Sequence, residues 1–170
     1  LWGRDVNVFQ YLTVSQIASV KAYNYAVDCS AEVQAALEAA FSSNRNCFAP
    51  AGGYLVSSGF YIPSLSNGVT DERTKAFIFY GQGNGTPFTS AGVKPTGGTC
   101  FWRSGADAPT VWTETGTTVI TNGMLHVKAM RFDGNCATSP VILVQTGSYQ
   151  NCWEAVTAYQ QGDGDGWGIT

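Results

Sequence analysis

Cys47-Phe48-Ala49-Pro50-Ala51-Gly52-Gly53-Tyr54-Leu55-Val56-Ser57 is the stretch on which the fold of this chain turns. Two short apolar runs meet at a Pro-x-Gly corner, so the backbone leaves one strand and enters the next without room for a helix between them. Upstream lie two helical patterns, and before them the short apolar run Val6-Asn7-Val8-Phe9. Downstream, no helical period returns. A helix, a strand–corner–strand unit and then serial short strands predict a mainly β chain. Its sheet coils on itself, and the helix plugs the open end.

The helical patterns carry their own punctuation. Thr13-Val14-Ser15-Gln16 has the form of a capping box, which starts a helix running to about Lys21 with Val14, Ile17 and Ala18 on its buried side. Lys21 to Asp28, with Tyr23 and Tyr25, reads as a loop. Ser30 is placed to cap the second helix, and Glu32 meets the positive end of its dipole. Val33, Ala36, Leu37, Ala40 and Phe41 then form one apolar stripe, and Asn44-Arg45-Asn46 ends the run.

Strands are expected at Cys47–Phe48, Tyr54–Ser57, Ala76–Tyr80, Cys100–Arg103, Val119–Thr121, Leu125–Phe132, Val141–Gln145 and Cys152–Ala158, with one more at the end around Gly166 to Thr170. Alternation is regular in Leu125-His126-Val127-Lys128-Ala129 and slips at Met130-Arg131-Phe132, which predicts a bend that redirects the strand. Asp133-Gly134-Asn135 reads as the turn that follows. Apolar centres at Phe77, Phe101, Val127 and Trp153 are spaced near 25 residues (about one coil of a three-sided solenoid), although no clear sequence repeat accompanies them. Gly81 to Gly98 and Gly162 to Gly168 read as excursions from such coils. Gly81-Gln82-Gly83-Asn84-Gly85 lacks the Lys-Ser/Thr ending and the following helix of a phosphate cradle.

Composition narrows the function classes. The 170 residues suffice for a domain with a real core, and charged residues, at 12%, are about half the usual share. A net charge of −3 with nine scattered Lys and Arg leaves no footprint for nucleic acid. No apolar run reaches the roughly 18 residues of a membrane span. Leu1-Trp2-Gly3-Arg4-Asp5 lacks the basic start and apolar middle of a secretion signal. With no initial Met and a final strand lacking its neighbour, the chain reads as part of something longer. Cys29, Cys47, Cys100, Cys136 and Cys152 contain no C-x-x-C pair; free thiols are expected, with Cys100 and Cys152 as small buried groups beside Phe101 and Trp153. A Cys29–Cys47 bridge would need an oxidising compartment.

Val27-Asp28-Cys29-Ser30-Ala31-Glu32-Val33-Gln34-Ala35-Ala36-Leu37 followed by Pro50-Ala51-Gly52-Gly53-Tyr54-Leu55-Val56 resembles the opening of bacteriophage tailspike and capsule-depolymerase domains of the pectate-lyase-like superfamily. The leader Val8-Phe9-Gln10-Tyr11-Leu12-Thr13-Val14-Ser15-Gln16-Ile17-Ala18 is similar to the phage version, and the Gly-Asp-Gly approach of cellular pectinases is missing. The motifs cover about the first third of the chain. Gly53 is an extra residue in the usual Pro-x-Gly-x-Tyr spacing and is expected to lengthen the turn. The resemblance implies a right-handed parallel β-helix capped by an N-terminal amphipathic α-helix. Residues 1–28 would be a leader with a short helix, and 29–170 the capping helix and first coils.

The resemblance further implies a homotrimeric phage tailspike segment, exposed on the virion outside the host cell beside other phage tail proteins. It would recognise, and in the full-length protein depolymerise, host surface polysaccharide such as capsule or lipopolysaccharide, without a cofactor. A pair of carboxylates serves hydrolases of this group, and lyases abstract a proton beside a uronate carboxyl. Two other readings stand beside it: a non-catalytic virion component linking spike to tail, and a cellular polysaccharide lyase or hydrolase. The catalytic candidates are Asp163 and Asp165, the densest acidic site, and Glu154, expected outward on a groove wall. Asp163-Gly164-Asp165-Gly166 resembles part of a calcium loop but lacks the downstream Glu, so a solvated turn is expected there and no metal site. His126 alternates to the side opposite the core. Trp112, Trp153, Tyr159 and Trp167 are candidate glycan platforms, with Gln160-Gln161 as polar partners; the same rings could instead fill a core or a trimer seam.

Overall fold

The N-terminal elements form where their caps place them. In the computed structural model, which describes residues 5–63, 76–85, 94–103, 107–113, 124–134, 139–144, 150–160 and 167–169, β1 (Val6–Asn7) passes through a 3-10 turn into α1 (Val14–Lys21). Thr13 N donates to Gln16 Oε1 at 2.8 Å, and Thr13 Oγ1 accepts from Gln16 N at 3.3 Å, so both halves of the capping box form. The buried side of α1 differs from the expected one. Val14 is 86% exposed and Ala18 is also exposed, whereas Gln16, Ser19 and Val20 are buried. Docking on a neighbouring strand decides this: Val20 sits on Gly52, where a Cβ would lie 2.2 Å from Val20 Cγ1.

α2 (Ser30–Ser42) keeps the predicted stripe. Val33, Ala36, Leu37 and Ala40 have no exposed surface, and Phe41 meets Phe77 edge-on with centroids 5.7 Å apart. The cap residue is Cys29, not Ser30, and its side chain makes no capping bond. Asp28 does that work instead: its Oδ1 accepts from Ser30 N at 3.2 Å, Ser30 Oγ at 2.7 Å and Ser57 N at 2.9 Å, tying the helix start to the strand end. α2 packs on β1, β2 (Cys47–Phe48) and β4 (Phe60–Ile62).

The remaining strands are β3 (Gly52–Leu55), β5 (Ala76–Tyr80), β6 (Thr99–Trp102), β7 (Val111–Thr113), β8 (Met124–Gly134), β9 (Ile142–Val144), β10 (Gln150–Gln160) and β11 (Trp167–Ile169). All their pairings are parallel, and they fall into three ladders. The first runs β1–β2–β5 and then through the first halves of β8 and β10. The second runs β3–β6 and then through the second halves of β8 and β10. The third is β4–β7–β9–β11. Each ladder gives one side to a shared core. Tyr54, Phe101 and Phe132 stack down the second ladder, with centroids 4.8 and 5.5 Å apart. Phe60 from the third ladder and Phe79 from the first close on Phe101 at 5.1 and 5.8 Å.

β8 and β10 change ladder at a sharp bend, as the slip in alternation predicts. Ala129 (φ 56°) and Ala155 (φ 50°) lie opposite each other in the left-handed region, between the register pairs Lys128↔Glu154 and Met130↔Val156. Such a conformation costs an L-residue roughly 1–2 kcal/mol, so the packing on either side must hold it.

Several expectations are corrected. Asp133 is not in a turn; it belongs to β8 and is fully buried. Gly53 lies inside β3, where a Cβ would come within 2.5 Å of the Tyr25 ring, so it makes room for that ring and does not lengthen a turn. Cys152 is exposed, while Cys29, Cys47 and Cys100 are buried, and these four are free thiols. Phe101 belongs to the second ladder; the first-ladder column is Cys47–Phe79–Val127–Trp153, whose unequal steps are not a period of 25. β4 and β7 were not anticipated, and Val119–Thr121 lies outside the described residues.

Candidate functional site

Strand alternation sorts the first ladder into two sides. Val6, Cys47, Phe79 and Val127 face the core, so their neighbours face out. One outer column reads Asn7–Phe48–Tyr80–Lys128–Glu154, and the next reads Ile78–His126–Cys152. The Phe48 and Tyr80 rings lie 5.0 Å apart at 32°, and Lys128 Nζ is 5.9 Å from the Tyr80 centroid. Tyr80 donates its hydroxyl to Asp5 Oδ2, and Asn46 Nδ2 donates to Asp5 Oδ1 at 3.4 Å. Burial, together with this bond to Asp5, pushes the Tyr80 phenol up to about 12. His126 Nε2 lies 3.0 Å from Glu154 Oε2, the two side chains being 26% and 65% exposed. That nitrogen is buried and makes no aligned hydrogen bond, so the contact is one of proximity.

The outer side of the second ladder is covered. Tyr25 lies on Gly53, meets Trp102 edge-on at 5.6 Å and donates its hydroxyl to Pro95 O at 2.7 Å. Lys94 Nζ sits 5.7 Å from the Tyr25 ring and 5.4 Å from Trp102, and donates to Asn24 O at 2.9 Å. On this buried side, Arg131 Nε donates to both oxygens of Asp133, at 2.8 and 3.0 Å. The Tyr159 ring lies 5.3 Å from Arg131 Cζ. Burial raises the Asp133 carboxyl to about 6 against the opposing pull of Arg131, and burial raises the Cys100 thiol to about 12. With Asp133 wholly buried, a polymeric substrate does not reach it, and the pair belongs to the framework.

The sequence candidates are scattered over these surfaces. Glu154 is outward and exposed, as expected. Trp112 lies on the outer side of the third ladder, with Tyr61 at 6.3 Å. Trp153 continues the core-facing column after Val127 and meets Phe132 edge-on at 6.4 Å, so its partly buried ring packs against the core. Tyr159 is half-buried on the second ladder, in register with Asp133. Trp167 opens β11 in register with Ile142. Asp163 and Asp165 lie outside the described residues. Phe48, Tyr80 and Lys128 come from three different strands at unequal separations along the chain, so no local spacing in the sequence marks them. The opposite charges two residues apart at Arg131 and Asp133, by contrast, announce a pair on one side of a strand.

Among the described residues, no group of three or more His, Cys, Asp or Glu is placed to hold a metal ion, and no helix is long and apolar enough to cross a membrane. No family model, no curated protein and no solved structure matches this chain.

Proposed function

We propose that this chain is a segment of a bacteriophage tailspike that recognises host surface polysaccharide. It is the start of a right-handed parallel β-helix, capped by α2, homotrimeric, and displayed on the virion alongside other tail proteins. The observation that carries this reading is the outer side of the first ladder. Phe48 and Tyr80 present flat apolar rings there, beside Lys128, His126 and Glu154. A sugar chain needs that combination of ring faces for its C–H surfaces and charged or polar groups for its hydroxyls. The parallel ladders and the helix over their first strands agree with the tailspike motifs in the sequence. Depolymerisation belongs to the full-length spike. A glycosidase needs two carboxylates roughly 5–10 Å apart, and Glu154 is the one carboxylate on this column among the described residues.

The test is binding of purified capsular polysaccharides and lipopolysaccharide O-chains to the 170-residue chain. Tyr80→Ala and Lys128→Ala should each weaken binding, and Trp112→Ala, on another ladder, should not. Incubating the full-length product with capsule separates the chemistries. Reducing ends with unsaturated-uronate absorbance mark a lyase, and reducing ends alone a hydrolase. Neither binding nor cleavage would favour a structural link between spike and tail. Sedimentation as a stable monomer would count against the trimer.

A further inference from the structure

We propose that Cys152, His126 and Glu154 form a reactive-thiol site on the outer side of the first ladder, where Cys152 exchanges with disulfides. Cys152 and His126 are register partners on adjacent parallel strands, so both side chains leave the same side of the sheet from backbones about 5 Å apart. Glu154, two residues along and therefore on the same side, brings Oε2 within 3.0 Å of His126 Nε2. A thiol, an imidazole and a carboxylate thus stand on one side of two neighbouring strands. Ile78, the register partner of His126 on its other side, adds no competing charge, and Lys128 lies beside Glu154.

Among the described residues, accessibility singles out this cysteine. Cys29, Cys47 and Cys100 are buried, and burial pushes each of their thiols up to about 12, whereas Cys152 is exposed. The thiolate is the attacking species, and a neighbouring imidazolium favours it. In the step, the Cys152 proton passes to the imidazole, which Glu154 stabilises as imidazolium. Sγ attacks one sulfur of the disulfide, the old S–S bond breaks, and the leaving thiolate departs with its electron pair. The product is a mixed disulfide on the outer flank. The inference uses the strand register and the His126–Glu154 contact and does not depend on glycan binding.

The experiment follows release of coloured nitrothiolate from dithiobis-nitrobenzoate across pH, on the full chain with Cys136, which lies outside the described residues, replaced by Ser. Cys152 should react about tenfold faster than glutathione at pH 7. His126→Gln should remove most of that advantage at pH 7 and little of it at about pH 10, where thiols ionise without help. Glu154→Gln should remove part of it. Cys152→Ser should abolish the fast phase. Wild-type reaction at the glutathione rate, or an unchanged rate in His126→Gln, overturns the proposal, as does a fast phase that survives Cys152→Ser. Should His126→Gln fail to fold, Glu154→Gln decides: a slower rate at pH 7 supports the site, and an unchanged rate rejects it.

Discussion

Replacing Asp133 by Asn should change how stability depends on pH, and the buried pair fixes the sign. Burial raises the folded-state carboxyl to about 6, against 3.8 for an aspartate in water. The folded state therefore holds its proton where the unfolded chain has released it. The stability contributed by protonated Asp133 is fully present below the unfolded value and is lost as pH rises through about 6. A displacement of about two units corresponds to a ceiling on the order of 3 kcal/mol across that window. Between pH 4 and pH 6.5, wild-type stability should thus fall relative to Asp133→Asn, by about 2–3 kcal/mol in total. Urea unfolding of both proteins at several pH values measures the difference directly. Parallel pH profiles would refute the reasoning, and so would a wild type that gains on the variant as pH rises. Either result would mean that Arg131 outweighs burial at this carboxyl.

Three further outcomes follow from the packing. Phe101→Ala removes a ring with no exposed surface that touches Tyr54, Phe132, Phe60 and Phe79; it should cost about 3–5 kcal/mol in chemical denaturation, and a cost under about 1 kcal/mol would contradict a common core. Ala129→Gly should be neutral or stabilising by up to about 1 kcal/mol, because relief of the left-handed backbone outweighs glycine's added chain entropy. Ala129→Val should destabilise by about 1–3 kcal/mol, and equal melting shifts for the two would be inconsistent with the bend. Gly53→Ala pushes a methyl into the Tyr25 ring and should cost about 1–3 kcal/mol while raising protease sensitivity in the loop around Tyr25; an unchanged melting temperature would argue against that contact.

Legibility in the sequence followed how local each signal was. The Thr13 capping box and the stripe from Val33 to Phe41 act within one helix, and both formed as expected. The bend after Lys128 was readable because a phase slip is local. What α1 buries was not readable: Val14 carries the apolar side chain, but Gly52 on a strand more than thirty residues away determines which face docks. Asp133 misled for a similar reason. Asp-Gly-Asn is turn chemistry in isolation, and a buried carboxylate there is tenable because Arg131, two residues back on the same strand, pairs with both its oxygens. For the candidate site, alternation put Glu154 and His126 outside correctly. Trp153, between Cys152 and Glu154 in the chain and facing opposite to both, goes inward because its column is set by Val127.

Pairing in these ladders is decided by which residue points to the core, with no regard to how much chain separates two strands. Four residues join β3 to β4, whereas eight join β6 to β7, yet β4 and β7 still align Phe60 with Val111. Lengthening or exchanging a connector should therefore leave the strand stack in place while redrawing its outline. Surface specificity and scaffold integrity can then change independently under selection.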